Sequence, residues 1–235
     1  LLVGAEVSRL GMAWLTFDKA SRLAVAGDTE IAIQGFKNAI ALDSGKSLYH
    51  HGLGSVYARD FEASRDKQLF QLAHAEFKAA IELNPLDSRL LALLAQLYVS
   101  AAQTPSLSGR LDEQQIFWLR AALRVYERAV RLAPFSAPYR YEQARLHWML
   151  GERPLAEQQA KEAEQLEPNF LPARALLARL SVDAGRIDDA RRELQEIQVR
   201  QARYEQWNKN NIDRTFLSVD VAPLRAAVEA KGLAG

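Results

Sequence analysis

The 235-residue sequence contains no cysteine. That excludes disulfides, thiolate nucleophiles and cysteine-ligated zinc, and it leaves cytosol and periplasm equally permitted. An excess of one charge is missing too: 30 Lys and Arg stand against 29 Asp and Glu, a formal net charge of +1. The chain as a whole therefore has no field to draw it onto nucleic acid or an anionic membrane, and any charge-driven binding must come from a local patch. No apolar run reaches the roughly 20 residues of a membrane span; the opening LLVGAEVSRL is broken by Glu6 and Arg9. No β-branched alternation is long enough for a strand. The first residue is Leu1, without an initiator methionine. This reads as a piece of a longer protein, with Leu1 to Val3 hinting at an apolar neighbour such as a membrane segment.

What is present is helical spacing. Between Met12 and Trp207 apolar residues recur with helical period, and 49% of the chain is apolar, enough for a substantial core. Turn residues punctuate it at Gly27-Asp28, Asp43-Ser44-Gly45, Asn84-Pro85, Ala133-Pro134, Gly151 to Pro154, Glu167-Pro168 and Gly185-Arg186. Glycine suits a helix C-cap and proline the first turn of the next helix, so the chain is expected to be all-α, with antiparallel helices. Pro168 lies 34 residues after Pro134. Within that unit Ala144, Gly151, Ala156, Ala163 and Leu166 stand at offsets that recur elsewhere, a repeat pattern of a helical solenoid.

These units resemble tetratricopeptide (TPR) repeats, a family with small residues where paired helices cross and proline after the second helix. The closest unit is 137–170. The next has Ala178, Gly185, Ala190, Leu194 and Ile197, and an earlier one Ala20, Gly27, Ala32, Phe36, Ala39 and Leu42, with Ser44 in place of the proline. The resemblance implies an α-solenoid of about five helix-turn-helix repeats over 13–198, in units near 13–46, 47–87, 88–136, 137–170 and 171–198. A helical lead-in over 1–12 precedes them. Pro85 lies 41 residues after Ser44 and Pro134 lies 49 after Pro85. The excesses over 34 are close to two and four helical turns, which predicts two repeats with lengthened helices and a projecting loop over 104–112, with Asp112 capping the next helix. Residues 199–235 are expected to hold a helix extension, a break at NKNNIDRTFLS, and a capping helix started by Asp220 and Pro223 and ended by Gly232.

Catalytic constellations are weak. His50 and His51, adjacent on a helix, point about 100° apart and cannot chelate together. Gly52-Leu53-Gly54 lies in a helical pattern with Tyr57 where a dinucleotide loop needs its third glycine. Asp188-Asp189 and Glu162 with Glu164 read as solvated helix faces. The serines lack a nucleophile elbow, and His147 has no partner evident in the sequence. The chain is therefore expected not to be an enzyme in itself and to hold no cofactor or metal.

Binding is the better expectation. By the family's register, groove-facing positions on the first helices are Trp14, Phe17 and Ser21; His51, Ser55 and Arg59; Arg89 and Gln96; Tyr141, Arg145 and Trp148; Arg179 and Asp183. Aromatic and guanidinium groups are common interface anchors. The resemblance thus implies a non-catalytic scaffold for a protein or peptide, acidic where it meets the arginines. Co-chaperone members clamp a C-terminal carboxylate with Lys and Asn, but the matching positions here are Phe17, Ser21, Gly52, Arg89 and Leu93. Only Arg89 keeps the charge, so that mode is not expected. The apolar start, AIALDSG, LYHHGLGSVY and the irregular repeats are also similar to the extracytoplasmic TPR region of bacterial O-antigen ligase or polymerase-like membrane proteins. That likeness implies the alternative of a periplasmic accessory domain, tethered to a membrane and meeting an anionic glycan.

Overall fold

The computed structural model describes residues 2–103, 111–207 and 219–232. All regular structure among them is α-helical. The chain divides into two compact units, Leu1–Leu132 and Ala133–Gly235. The first holds three antiparallel pairs: α1 (Leu2–Ala26) with α2 (Thr29–Leu42), α3 (Ser47–Ser64) with α4 (Lys67–Leu83), and α5 (Ser88–Ala102) with α6 (Glu113–Leu132). In the second, α7 (Ala137–Met149) pairs with α8 (Arg153–Leu166) and α9 (Leu171–Asp183) with α10 (Ile187–Trp207), followed by α11 (Ala222–Gly232).

Local chemistry sets the boundaries. Asp66, Asp87 and Ser136 precede α4, α5 and α7, and each side chain accepts a hydrogen bond from a first-turn N–H, relieving donors that have no partner inside the helix. Proline occupies the first turn of α7, α8 and α9. Asp112 caps α6 reciprocally: its Oδ1 accepts from Gln115 N at 2.7 Å, and Gln115 Oε1 accepts from Asp112 N at 2.9 Å. The buried Gln115 amide also donates to Ala102 O at 3.0 Å, so the end of α5 and the start of α6 are tied by one side chain. The loop expected over 104–112 and the break NKNNIDRTFLS lie outside the described residues, apart from Leu111 and Asp112.

The lengthening is unevenly shared. α7 and α8 have 13 and 14 residues, α3 and α4 have 18 and 17, and α5 and α6 have 15 and 20. The second excess, expected as two turns in each helix, therefore goes mostly to the start of α6 and the connection before it. At the C-terminus α10 is long, 21 residues. Leu224 and Val228 of α11 close a core with Ala178, Val182, Ala190 and Leu194, covering the last pair, and Asp220 accepts from Ala222 N at 3.0 Å. The helical lead-in expected over 1–12 is, from Leu2 on, the first part of α1. No described helix is long and apolar enough to cross a membrane.

Small residues do two different jobs. Ala32, Ala39, Ala144, Ala156, Ala163, Ala178 and Ala190 are fully buried where helices cross. Gly27, Gly151 and Gly185, grouped with them by the repeat pattern, are not crossing residues. A Cβ there would meet nothing, and their φ values of +94°, +79° and +75° place them in the left-handed turn after a helix. Close approach belongs instead to glycines inside helices: a Cβ on Gly54 would stand 2.8 Å from Phe77 Cδ1, and one on Gly52 2.6 Å from Phe36 Cε1. Gly54→Ala is expected to lose about 1–3 kcal/mol by overpacking, partly recovered by adding Phe77→Leu. Gly151→Ala should lose about 1–2 kcal/mol through backbone strain, with no neighbouring substitution able to recover it. Urea midpoints of these variants check both.

Candidate functional site

In the first unit the expected positions are spread over α1, α3 and α5. Trp14 is 52% exposed, its ring 5.6 Å from that of Phe17. Phe17 faces inward, 5.1 Å from the Tyr49 ring and 5.7 Å from Phe36, against a core of Ala13, Ala39 and Tyr49. Ser21 donates back to Phe17 O within its own helix. Arg59 ties α3 to the α1–α2 turn, donating to Ala24 O at 2.8 Å and to Thr29 Oγ1 at 2.9 Å. Ser55 is half-buried and Gln96 exposed.

His51 and Arg89 come together around Asp87. The cap carboxylate of Asp87 takes two charge-assisted bonds from the Arg89 guanidinium, at 3.0 and 2.8 Å. These bonds hold the Asp87 carboxyl below its ordinary range. Burial pushes the His51 imidazole below its usual value, the Arg89 charge adds to this, and Asp87 opposes it. His51 is thus a neutral ring beside a bound guanidinium.

In the second unit the positions are more convergent. Tyr141 is wedged between two cores, one with Ala144, Leu176 and Leu177 and one with Ala137, Ala163 and Phe170, its ring edge-on to Phe170 at 5.4 Å. Burial raises its hydroxyl above the usual tyrosine range. Arg145 pairs with Glu142 at 2.7 Å on the same helix. At the far end of α7, Trp148 Nε1 donates to Asp183 Oδ2 at 3.2 Å, Arg153 pairs with the same oxygen at 2.7 Å, and Arg179 Nε stands 3.5 Å from Asp183 Oδ1. The Arg153 guanidinium also lies over the Trp148 ring, 5.7 Å from its centroid. One carboxylate thus gathers an indole and two guanidinium groups from three helices.

Other groups have partners that are near in sequence or brought in by a neighbouring helix. His147 Nδ1 lies 2.6 Å from Glu152 Oε2, and His50 Nδ1 lies 2.7 Å from Glu76 Oε2. Arg174, 8% exposed, pairs with Glu164 and, at 2.9 Å, with Glu193. Among the described residues no three His, Asp or Glu side chains are grouped to hold a metal.

An aromatic layer in the first unit escaped the sequence reading. Phe70 touches Phe61 (5.5 Å), His74 (6.0 Å, stacked) and Trp118 (4.9 Å, edge-on). Tyr98 lies 5.3 Å from Trp118, and its hydroxyl is 3.0 Å from His74 Nε2. Burial lowers the His74 imidazole pKa, helped by Lys78. The layer sits where α3, α4 and α6 exceed the regular helix lengths, so the adjacent Phe117-Trp118 in the added turns of α6 was the available signal.

Both half-buried imidazoles make stability acid-sensitive. Below the ordinary histidine pKa the unfolded chain binds protons that folded His51 and His74 do not, so stability falls as pH drops from about 7.5 to about 5.5. His51→Gln is expected to make that fall shallower, read as the difference between urea midpoints at the two pH values.

No protein-family model matches the chain, and no curated protein sequence does. Solved structures are similar over nearly its whole length. TTC0263, a thermophilic TPR protein of Thermus thermophilus, is 22% identical, with 94% of this chain and 99% of that chain covered and a TM-score of 0.59. MamA from Desulfovibrio magneticus RS-1 is 16% identical, with 85% and 98% covered and a TM-score of 0.61. YrrB, a TPR protein with an unusual peptide-binding site, is 18% identical, with 81% and 87% covered and a TM-score of 0.55. The all-helical chain has the fold of these TPR proteins, an α-solenoid.

Proposed function

We propose that this chain is a non-catalytic interaction scaffold that holds a peptide or protein on the exposed faces of its first helices. The observation that carries the reading is the α7–α9 face, where Trp148 and Arg179 gather at Asp183 and Arg145 stands one turn before Trp148 on α7. Broad rings and guanidinium groups supply contact area and carboxylate recognition together. The guanidinium groups of Arg153 and Arg179, already shared on one carboxylate, can exchange that partner for a carboxylate on an acidic peptide. In the first unit Trp14, His51, Arg89 and Gln96 offer the corresponding face, while Phe17 supports it from within the packing and exposed Arg59 ties α3 to the α1–α2 turn. YrrB's peptide-binding site makes a peptide ligand consistent with the fold.

An accessory role beside a membrane glycopolymer ligase or polymerase has no observation in its favour, and neither the anionic glycan nor the membrane tether that goes with it gains support.

The test avoids Tyr141, whose truncation would open the core it fills. A photo-reactive benzoylphenylalanine replaces Trp148 in the full chain, and a second chain carries it at exposed Gln158 on α8. Irradiation in lysate should give discrete adducts from position 148 that are absent from position 158 and reduced at least about fivefold by Arg145→Ala with Arg179→Ala. Equal adducts from both positions, or adducts indifferent to the arginines, would contradict the proposed face.

A further inference from the structure

A cleft of about 650 Å³ opens in the first unit between α4 and α6, which each pack on α5 but barely on each other. Leu91 and Leu94 of α5 lie at its base, and Tyr98 and Trp118 of the aromatic layer wall it. Phe117, 56% exposed, stands at its lip on the added turns of α6. Lys78 comes from α4, Arg124 and Arg128 from α6, and none of the three is in an ion pair among the described residues. Glu82 is the one carboxylate among the lining residues. The groove residues named above all stand on first helices, whereas two of the three walls here are second helices.

We infer that this cleft is a second docking site, taking an acidic peptide segment that inserts aromatic or aliphatic side chains between α4 and α6 while its carboxylates meet Lys78, Arg124 and Arg128. Charge complementarity selects the occupant: three cations against one carboxylate around an apolar base repel a basic segment and leave an uncharged one without partners for the rim. Size selects its form. The volume receives a few side chains, not a helix about 10–12 Å across, so the segment lies along the cleft and inserts alternate residues. The arrangement also explains the place of Phe117 and Trp118: the added turns of α6 extend the wall beyond the length a regular repeat provides.

The probes are fluorescein-labelled, N-acetylated eight-residue peptides in which Glu and Asp alternate with Leu, Phe or Trp, each paired with a version carrying Gln and Asn in place of the acids. Fluorescence anisotropy with the full chain should show binding by the acidic peptides, at least about tenfold weaker for their neutral counterparts and weakened by added salt. Arg124→Glu with Arg128→Glu should weaken binding about tenfold or more, and Phe117→Ser about threefold or more. All three side chains are exposed, so unchanged circular dichroism and urea midpoints show that the variants remain folded. Arg89→Glu with Arg179→Glu, on the first-helix faces, should leave this affinity unchanged. The inference is overturned if no acidic peptide binds more tightly than about 1 mM, if the neutral versions bind equally well, if the α6 charge reversals have no effect, or if the first-helix reversals weaken binding as much as they do.

Discussion

Close approach of paired helix backbones is the constraint on which the rest of the structure depends. Gly35 opposes Ala20 so tightly that an added Cβ would stand 2.8 Å from the alanine Cβ, and Gly54 meets the Phe77 ring at the same distance. Carbon atoms gain most dispersion at about 3.5–4.0 Å, a separation these helices reach because positions 35 and 54 carry no Cβ, so those two accept little beyond glycine, and buried Ala20, Ala144 and Ala156 little beyond alanine. With the crossings held by small residues, larger side chains fill the rest of the core. Phe36, Phe77, Leu53, Leu91 and Leu119 are fully buried in the first unit, and Leu146 and Leu171 in the second.

The same constraint separates scaffold from surface. Residues at crossings cannot vary without cost, and residues beyond them can. The added turns of α3, α4 and α6 lie beyond the regular crossing pattern, and there the chain has placed Phe61, Phe70, Phe117 and Trp118. In the second unit the helices keep regular lengths until α10. Its distinctive chemistry is instead at the α7 C-terminus, where the Asp183 carboxylate collects Trp148, Arg153 and Arg179. A buried ion network centred on Arg174, between Glu164 and Glu193, fastens the start of α9 to α8 and α10. Loss of either carboxylate would leave part of that buried guanidinium uncompensated.

Much of the fold was legible because proline, glycine and the aspartate caps act locally. Asp112 and Asp220 could be assigned to helix starts from the residues next to them, and each accepts the first-turn N–H expected of it. What is set by distant segments was harder to read. The arithmetic of whole turns gave the size of the insertion between Pro85 and Pro134, but not that α6 would take most of its helical part, which depends on Gln115 reaching Ala102. Phe17 shares the register of a groove residue, yet it packs on Tyr49 and Phe36, because α3 is close enough to bury it. Arg59 is likewise spent on Ala24 and Thr29, a contact set by the α1–α2 turn. The aromatic layer needed four helices placed together, and no single-helix pattern contains it.

The central claim is that partners engage the exposed aromatic and arginine side chains while the crossing residues serve only the fold. Amide hydrogen exchange of the full chain, alone and with a partner captured by cross-linking from position 148, tests it most directly. The account predicts slowed exchange concentrated in α7 and α9, with α8 and α10 unchanged. Protection confined to α8 and α10, or a partner that is consumed chemically on incubation with the chain, would contradict it.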